Sequence, residues 1–477
     1  MGSYYFLGIG GTAMASVSIA LSRAGHTVTG SDTQLYPPMS TALEANAIVH
    51  AVGYDEANIA ALEPGTTIVV GNAISRGNPE LEYALEQHLD LIAMPELVGR
   101  QLIGRNRSVV VTGTHGKTTT TSLVAWLLEH AGMQPGFLIG GIPENFGTGC
   151  RAATGTSGGV FVSEGDEYDT AFFDKRSKFM HYRPDIAIVN NIEFDHADIF
   201  NSIDDIIRSF RLFVRLVPRN GLLLLNSDDP LASDLANDAL CQVEHYGLTG
   251  TPEWSASGIT SVAEGSRFEL LHHGKACATV TVPLFGNYNV MNTVAALAAA
   301  HHCGADLRQL ADGLLSFQRP KRRMELIGTL SGGITFIEDF AHHPTAVALT
   351  LEALAARYPG RRIVACFEPR SNTTTRNIFQ QEFPAAFNNA GVVIIGKVFR
   401  PERYGPSGAL DTAQLKKELE ASGKKVFCGG LAGDDYPLDI VRYLQETLLP
   451  EDLLVLLSNG SFNNLKNLLL DHFEQKS

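Results

Sequence analysis

Twice before His130 the chain runs from an apolar, strand-like segment through a glycine-rich turn into a helical pattern. Tyr4-Tyr5-Phe6-Leu7 leads through Gly8, Gly10 and Gly11 into a helix expected near Ala13–Ala24. Ser108-Val109-Val110-Val111 leads through Gly113 and Gly116 into a helix expected to reach about His130. A strand that passes by a tight turn into a helix is the unit from which parallel sheets with covering helices are built. The pattern favours an α/β fold class with mainly parallel sheets.

The alternation continues to the C-terminus. Gly25 is a helix stop, and Thr27-Val28-Thr29-Gly30 begins a second strand. Gly159-Val160-Phe161-Val162 and Ile186-Ala187-Ile188-Val189 are further strands, and an alanine-rich helix follows Asn289. Beyond Pro320, strands are expected at Thr335-Phe336-Ile337, Ile363-Val364-Ala365 and Leu453-Leu454-Val455-Leu456. At ~150 residues per domain a chain of 477 residues implies three domains. The expected division is a Rossmann-like N-terminal domain over 1–106, a central P-loop ATPase-type domain over 107–320 and a Rossmann-like C-terminal domain over 321–477.

A formal charge of -14 argues against a nucleic-acid surface, which needs a net basic face. The dense basic run Arg319-Pro320-Lys321-Arg322-Arg323 is too short for an RNA-binding arm and suits a nucleotide phosphate. Six cysteines are scattered without a C-x-x-C pair, so neither a zinc site nor a disulfide framework is expected. Glycines interrupt the apolar run near the N-terminus, so no signal peptide is expected, and no apolar stretch nears the ~20 residues of a membrane span. The expectation is a soluble, cytoplasmic protein with no nucleic-acid or membrane partner; its protein partners are unknown.

Thr112-Gly113-Thr114-His115-Gly116-Lys117-Thr118-Thr119-Thr120 carries the strongest local chemistry. A glycine-rich turn lets backbone N–H groups approach phosphate oxygens, and the following helix adds its positive N-terminal end. Lys117 then reaches the β- and γ-phosphates of ATP, and the Thr118 hydroxyl suits Mg²⁺. The longer G-x-x-x-x-G-K-T form needs glycine where this chain has Val111, so the match is to a shorter G-x-x-G-K-T form. The competing reading is a strand-to-helix turn made of small residues.

Several motifs in order resemble one family. The stretch Thr112 to Thr120 resembles the ATP loop of the Mur ligases, which build the peptide stem of peptidoglycan. Gly8-Ile9-Gly10-Gly11-Thr12-Ala13-Met14 resembles the UDP-sugar loop of that family, and Ala73-Ile74 with Asn78-Pro79-Glu80 also matches its first domain. Asn190-Asn191-Ile192-Glu193-Phe194-Asp195-His196, Gly286-Asn287-Tyr288-Asn289-Val290-Met291-Asn292 and Glu338-Asp339-Phe340-Ala341-His342-His343-Pro344 follow in family order. The stretches 163–179 and 367–373 resemble the branch that attaches a whole peptide, L-Ala-γ-D-Glu-meso-diaminopimelate, to UDP-N-acetylmuramic acid. The branch that attaches L-alanine stays open as the alternative. An NAD(P)-dependent oxidoreductase would explain the first domain alone, where Asp32 ends the second strand as a ribose-binding acid would.

The resemblance implies γ-phosphoryl transfer from ATP to a lactyl carboxylate and attack of an amine on the acyl phosphate. Catalytic roles fall to Lys117, Glu164 and His196. Thr118 and Glu164 are implied as Mg²⁺ ligands, with His196 on a second Mg²⁺, although imidazole is an unusual ligand for that ion. The bland readings are a solvated carboxylate for Glu164 and, for His196, a loop histidine bonded to Asp195 or Asp198. Some relatives carry a carbamylated lysine about fifteen residues after the matching histidine. Here 208–215 holds no lysine, so another group must organise the second metal.

ATP binding is implied for Gly113, Thr114, His115, Gly116, Lys117, Thr118, Thr119, Asn289, Asn292, Arg323 and Asp339. Asn289 and Asn292 are three apart and share a helix face. Helix capping for Asn289 and a surface charge for Arg323 compete with these roles. The UDP-sugar is implied for Gly8, Gly10, Gly11, Thr12, Met14 and Asp32, with the diphosphate cradled by glycine N–H groups. Arg370 and Arg376 are candidates for the peptide carboxylates, because a guanidinium meets a carboxylate by two parallel bonds. Their alternatives are solvated loop arginines or contacts to ATP phosphate.

Overall fold

The protein is described from a computed structural model covering residues 1–154, 158–404, 408–429 and 435–473. The chain divides into two compact units: Met1–Phe194, Ser202–Pro283 and Asn289–Pro320 form one, and Asp195–Asn201, Leu284–Tyr288 and Lys321–Ser477 the other.

The first unit contains two large sheets. One has five parallel strands in the order Val49–Val52, Thr27–Asp32, Ser3–Leu7, Thr67–Val70 and Leu91–Ala93. Strand order reverses beside the central strand Ser3–Leu7, which opens a crevice at the strands' C-terminal ends. The following helix is Thr12–Arg23, close to the expected span, and Gly25 beyond it has φ +91°. That backbone angle is strained for any residue with a Cβ.

The other sheet of this unit has ten strands. Its parallel core runs Gly136–Leu138, Val160–Gly165, Arg107–Thr112, Ile186–Val189, Leu222–Asn226 and Gln242–Gly247; Cys150–Arg151 pairs beside the first of these, and Trp254–Val262, Gly265–His272 and Lys275–Val282 extend the other end. The valine, isoleucine and leucine runs suit strands buried on both faces. Glu164, expected just past a strand ending at Val162, lies inside the strand Val160–Gly165. Pairing with Arg107–Thr112 along its full length carries the ladder beyond the apolar run and sets Glu164 opposite Val111.

Far along this sheet Glu244 accepts hydrogen bonds from Trp254 Nε1 at 2.7 Å and His302 Nε2 at 2.9 Å. Burial alone would raise its pKa, but these donors and the nearby imidazoles hold it down at about 2, against an ordinary 4.5. A carboxylate with a depressed folded pKa adds stability above its unfolded pKa and loses it as pH falls toward the folded value. Glu244→Gln is therefore expected to lower the urea midpoint at pH 6 more than at pH 3. An equal loss at both pH values would show that the charge contributes nothing.

The second unit is built on six strands in the order Glu325–Leu330, Ile334–Asp339, Leu453–Leu457, Ile363–Phe367, Val392–Ile395 and Lys425–Cys428. The first is an antiparallel edge and the rest are parallel. Phe336, Val364, Val392 and Leu454 pack with Ile440, Leu444 and Leu465 in one core. Pro344 is the first residue of the helix Pro344–Arg357, and His343 caps it by accepting the Thr345 N–H at 3.3 Å. All six cysteines are free thiols. Among the described residues no helix is long and apolar enough to cross a membrane.

Candidate active site

The strand Arg107–Thr112 delivers the chain into the glycine turn, and the helix Lys117–His130 leaves it. Gly113 and Gly116 have φ +131° and +81°. A Cβ at Gly113 would sit 2.9 Å from the Asn191 nitrogen, and one at Gly116 would sit 2.7 Å from Asn292 Oδ1. Both positions therefore need glycine for conformation and for space. Asn191 braces the turn from outside, its carbonyl accepting Thr114 N–H at 3.0 Å and its Oδ1 accepting His115 N–H at 2.7 Å. The His115 ring lies 2.9 Å from Glu193. The first-turn N–H groups of Lys117, Thr118 and Thr119 have no acceptor within their own helix.

The Lys117 ammonium lies within the loop, donating to Gly113 O at 2.6 Å and Thr114 O at 3.1 Å. It also donates to Glu167 at 2.8 and 3.1 Å. Burial pushes its pKa down, but Glu167, Asp166 and Glu164 together hold it above the usual lysine value. The lysine is thus charged at any working pH. Sequence reasoning passed over Glu167, since nothing in its spacing from Lys117 distinguishes it from the neighbouring acids.

Glu164 and Thr118 meet directly: Thr118 Oγ1 donates to Glu164 Oε1 at 3.0 Å, and Gly140 N–H donates to Oε2 at 2.8 Å. The solvated-carboxylate reading of Glu164 is set aside by these bonds. His196 belongs to the other compact unit, so the three expected metal ligands are divided between units. There the backbone N–H of His196 and the hydroxyl of Thr373 both donate to Asp195 Oδ1, at 2.7 and 2.6 Å. Burial would raise the Asp195 pKa, but His196, His342, Thr373 and His343 drive it well below the usual carboxylate range.

Asn289 and Asn292 share a buried face of the helix Asn287–His302, with Asn292 Nδ2 donating to Asn289 Oδ1 at 3.3 Å. Asn289 lies inside the helix, so it is not the cap. In the second unit, Asp339 ends its strand buried, accepting the N–H groups of Met324 at 2.6 Å and Ala341 at 2.7 Å. This carboxylate, expected among the ATP contacts, accepts both of these bonds from its own chain. The Arg323 guanidinium lies 4.9 Å from the Phe340 ring centre.

Arg370 pairs with Glu368 at 3.2 Å and stacks 4.4 Å from the Phe399 ring centre. Arg376 donates to Ala197 O at 2.9 Å and lies 5.0 Å from the Tyr404 ring centre. Neither is a freely solvated loop arginine. Arg376 holds the short segment that carries His196, a structural use that sequence spacing does not reveal.

At the C-terminal ends of the five-stranded sheet lies a cavity of about 340 Å³ lined by Gly8, Gly11, Thr12, Met14 and Asp32. Thr170 and Lys178, from the chain beyond the first sheet, complete its wall. Here the glycine expectation needs correction. Gly8 N–H donates to Ser31 O, Gly10 N–H to Asp32 Oδ2 and Gly11 N–H to Gly8 O. These donors are occupied, and the N–H groups left over are those of the first helical turn, Thr12, Ala13 and Met14. Asp32 is likewise engaged, by Gly10 at 2.8 Å and by its neighbour Thr33 at 2.7 Å. A Cβ at Gly10 would sit 2.2 Å from Leu35 Cδ2 and 2.9 Å from Asp32 Oδ2, so those side chains would have to shift.

A glycine turn with its lysine on one sheet, a second parallel sheet with a crevice cavity and a third α/β sheet make up a mixed α/β, three-domain architecture. The chain belongs to the Mur ligase family, whose members are ATP-dependent enzymes that form C–N bonds. Three family models match successive stretches. The Mur ligase family catalytic domain covers 3–105, the middle domain 111–300 and the glutamate ligase domain 322–460. The UDP-N-acetylmuramate–L-alanyl-γ-D-glutamyl-meso-2,6-diaminoheptandioate ligase of Haemophilus influenzae is 40% identical over 99% of both chains. Its namesake from Escherichia coli is 39% identical over 99% of this chain and 98% of its own. The crystal structure of a murein peptide ligase from Psychrobacter arcticus is 33% identical, with a TM-score of 0.72, over 99% of this chain and 98% of that one.

Proposed function

We propose that the protein joins L-Ala-γ-D-Glu-meso-diaminopimelate to UDP-N-acetylmuramic acid in the cytoplasm, consuming ATP with Mg²⁺, in the recycling of murein peptides. The reading divides the work among residues 1–106 for the UDP-sugar, 107–320 for ATP and 321–477 for the peptide. The observation that carries it is a phosphate loop and an acid–hydroxyl pair, Thr118 and Glu164, in one compact unit with a roomy first-domain cavity. The choice of amine is supported by the full-length likeness to the two bacterial peptide ligases.

The loop fits ATP because its glycines leave the space that a Cβ would fill, and because Lys117 stays charged. Thr118 and Glu164 fit a hard cation, which prefers oxygen ligands, and His196 is assigned to a second ion. An Mg²⁺ held by Thr118 and Glu164 would supply neutralisation of phosphate charge during transfer. The lactyl carboxylate oxygen attacks the γ-phosphorus and ADP leaves. The peptide amine then attacks the acyl carbon, phosphate leaves and the amine's proton is released. In this scheme Lys117 stabilises the transferring phosphoryl group from the loop. Asn289 and Asn292 support the nucleotide beside Gly116, and Arg323 reaches a phosphate. Arg370 receives a peptide carboxylate, and Arg376 positions the His196 segment.

A direct competition tests the amine. With ATP, Mg²⁺ and UDP-N-acetylmuramate present, phosphate release is expected to depend on the tripeptide far more than on L-alanine. Preference for L-alanine would make the protein the alanine-adding ligase, and silence with both amines would remove the ligase reading.

A further inference from the structure

Between the first-domain cavity and the phosphate loop runs a short acidic stretch whose carboxylates are each matched to a partner. Glu164 accepts from Thr118, Glu167 from Lys117 and Asp169 from Lys175. Asp166 takes Lys178 at 2.6 Å. Lys178 differs from the other cations of this set because it also lines the cavity. Its backbone is fixed: Lys178 N–H donates to Tyr168 O at 3.0 Å, and Phe179 N–H donates to Asp166 O at 3.3 Å. Its ammonium lies 5.3 Å from the centre of the Tyr168 ring, and its side chain is 17% exposed. The wall it belongs to is tied to the first domain, since Asn72 Nδ2 donates to Asp169 Oδ1 at 2.8 Å.

We propose that Lys178 is the residue that receives the sugar's carboxylate, exchanging Asp166 for the ligand when the cavity fills. This rests on the reading of the cavity as a UDP-sugar site. A sugar nucleotide with an acidic side arm brings two kinds of anion into a cavity of this size. The first-turn N–H groups of Thr12, Ala13 and Met14 suit the diphosphate, because a helix start offers several donors to one anion. The carboxylate must lie nearer the phosphate loop, where the γ-phosphate is delivered. Lys178 stands on that side. Its partner Asp166 is two residues from Glu164, which bonds the loop hydroxyl of Thr118, and the charge of Asp166 is felt by Lys117. A lysine on a flexible stem can leave one carboxylate for another without moving its backbone. Because an ion pair is exchanged for an ion pair, the half-buried ammonium is never left without a counter-charge.

The test is calorimetric binding to the full-length protein without ATP, using two probes that share the nucleotide and diphosphate. UDP-N-acetylmuramate carries the carboxylate and UDP-N-acetylglucosamine lacks it. Lys178→Ala is expected to weaken the first about tenfold or more, as loss of a charge-assisted bond does, and to leave the second unchanged. Lys178→Arg should restore most of the loss. Asp166→Asn, which removes the competing partner, should bind UDP-N-acetylmuramate as tightly as the wild type or more tightly. Equal weakening of both probes would move Lys178 to the diphosphate, and no weakening would remove it from the site; either overturns the proposal. A loss in Asp166→Asn matching that in Lys178→Ala would make the ion pair merely structural, which also overturns it. If the wild type binds neither probe, the cavity reading falls and the Lys178 assignment with it.

Discussion

Lys117→Ala is expected to lose ligation by at least 10²–10³-fold, the ~2.7–4 kcal/mol attached to one group that stabilises a transition state. A second effect comes from packing. Glu167 is 2% exposed and takes two bonds from the Lys117 ammonium, so the single substitution removes both of those bonds from a buried carboxylate. Losing a charge-assisted hydrogen bond costs about 1.5–3 kcal/mol, and the Tm should fall accordingly. The two effects separate in a double variant. Lys117→Ala with Glu167→Gln should recover most of the lost thermal stability and none of the amine-dependent phosphate release. Recovery of turnover in the double variant, or near-normal turnover in the folded single variant, would take the lysine out of the chemistry.

Gly116→Ala should be nearly as damaging, for a reason that belongs to geometry. The new Cβ would lie 2.7 Å from Asn292 Oδ1 and 2.8 Å from Asn190 Nδ2, at a residue whose φ is +81°. A left-handed backbone with a Cβ costs roughly 1–2 kcal/mol, and the collision forces the turn to move as well. A displacement of about 1 Å in a positioning loop can cost 10²-fold in rate, so kcat/KM for ATP should fall by about that factor. Gly132→Ala, just past the other end of the same helix, is the control. Gly132 has φ +78° but nothing within 4 Å of the added carbon, so it carries the conformational cost alone. Gly132→Ala should lower the Tm slightly and leave kcat/KM for ATP unchanged. Equal kinetic losses in the two variants would mean that contact with the asparagines is irrelevant.

Much of this architecture was legible in the chain itself. The apolar runs Tyr4–Leu7, Val109–Val111 and Ile186–Val189 mark buried strands, and all three are found at the centres of parallel sheets. The loop around Gly113, Gly116 and Lys117 was legible because its requirements are local: a turn, a close backbone approach and a helix start within a few residues. The length of the strand holding Glu164 was not, because its last residues join the sheet through pairing with Arg107–Thr112 and not through their own apolar character.

What the sequence determined by itself was the α/β class, the glycine turn that places Lys117 at a helix start, and the family. Each depends on residue types at short spacing or on motifs in linear order. Tertiary structure decided which partner each charged group takes. It gave Glu167 to Lys117 across fifty positions, turned the N–H groups of Gly8, Gly10 and Gly11 inward, and tied Arg376 to the His196 segment. The physical reason is that a carboxylate or guanidinium reads the same in every local context, while its partner is set by which strands lie side by side. Buried charges must be matched, and only the folded chain specifies what stands close enough to match them.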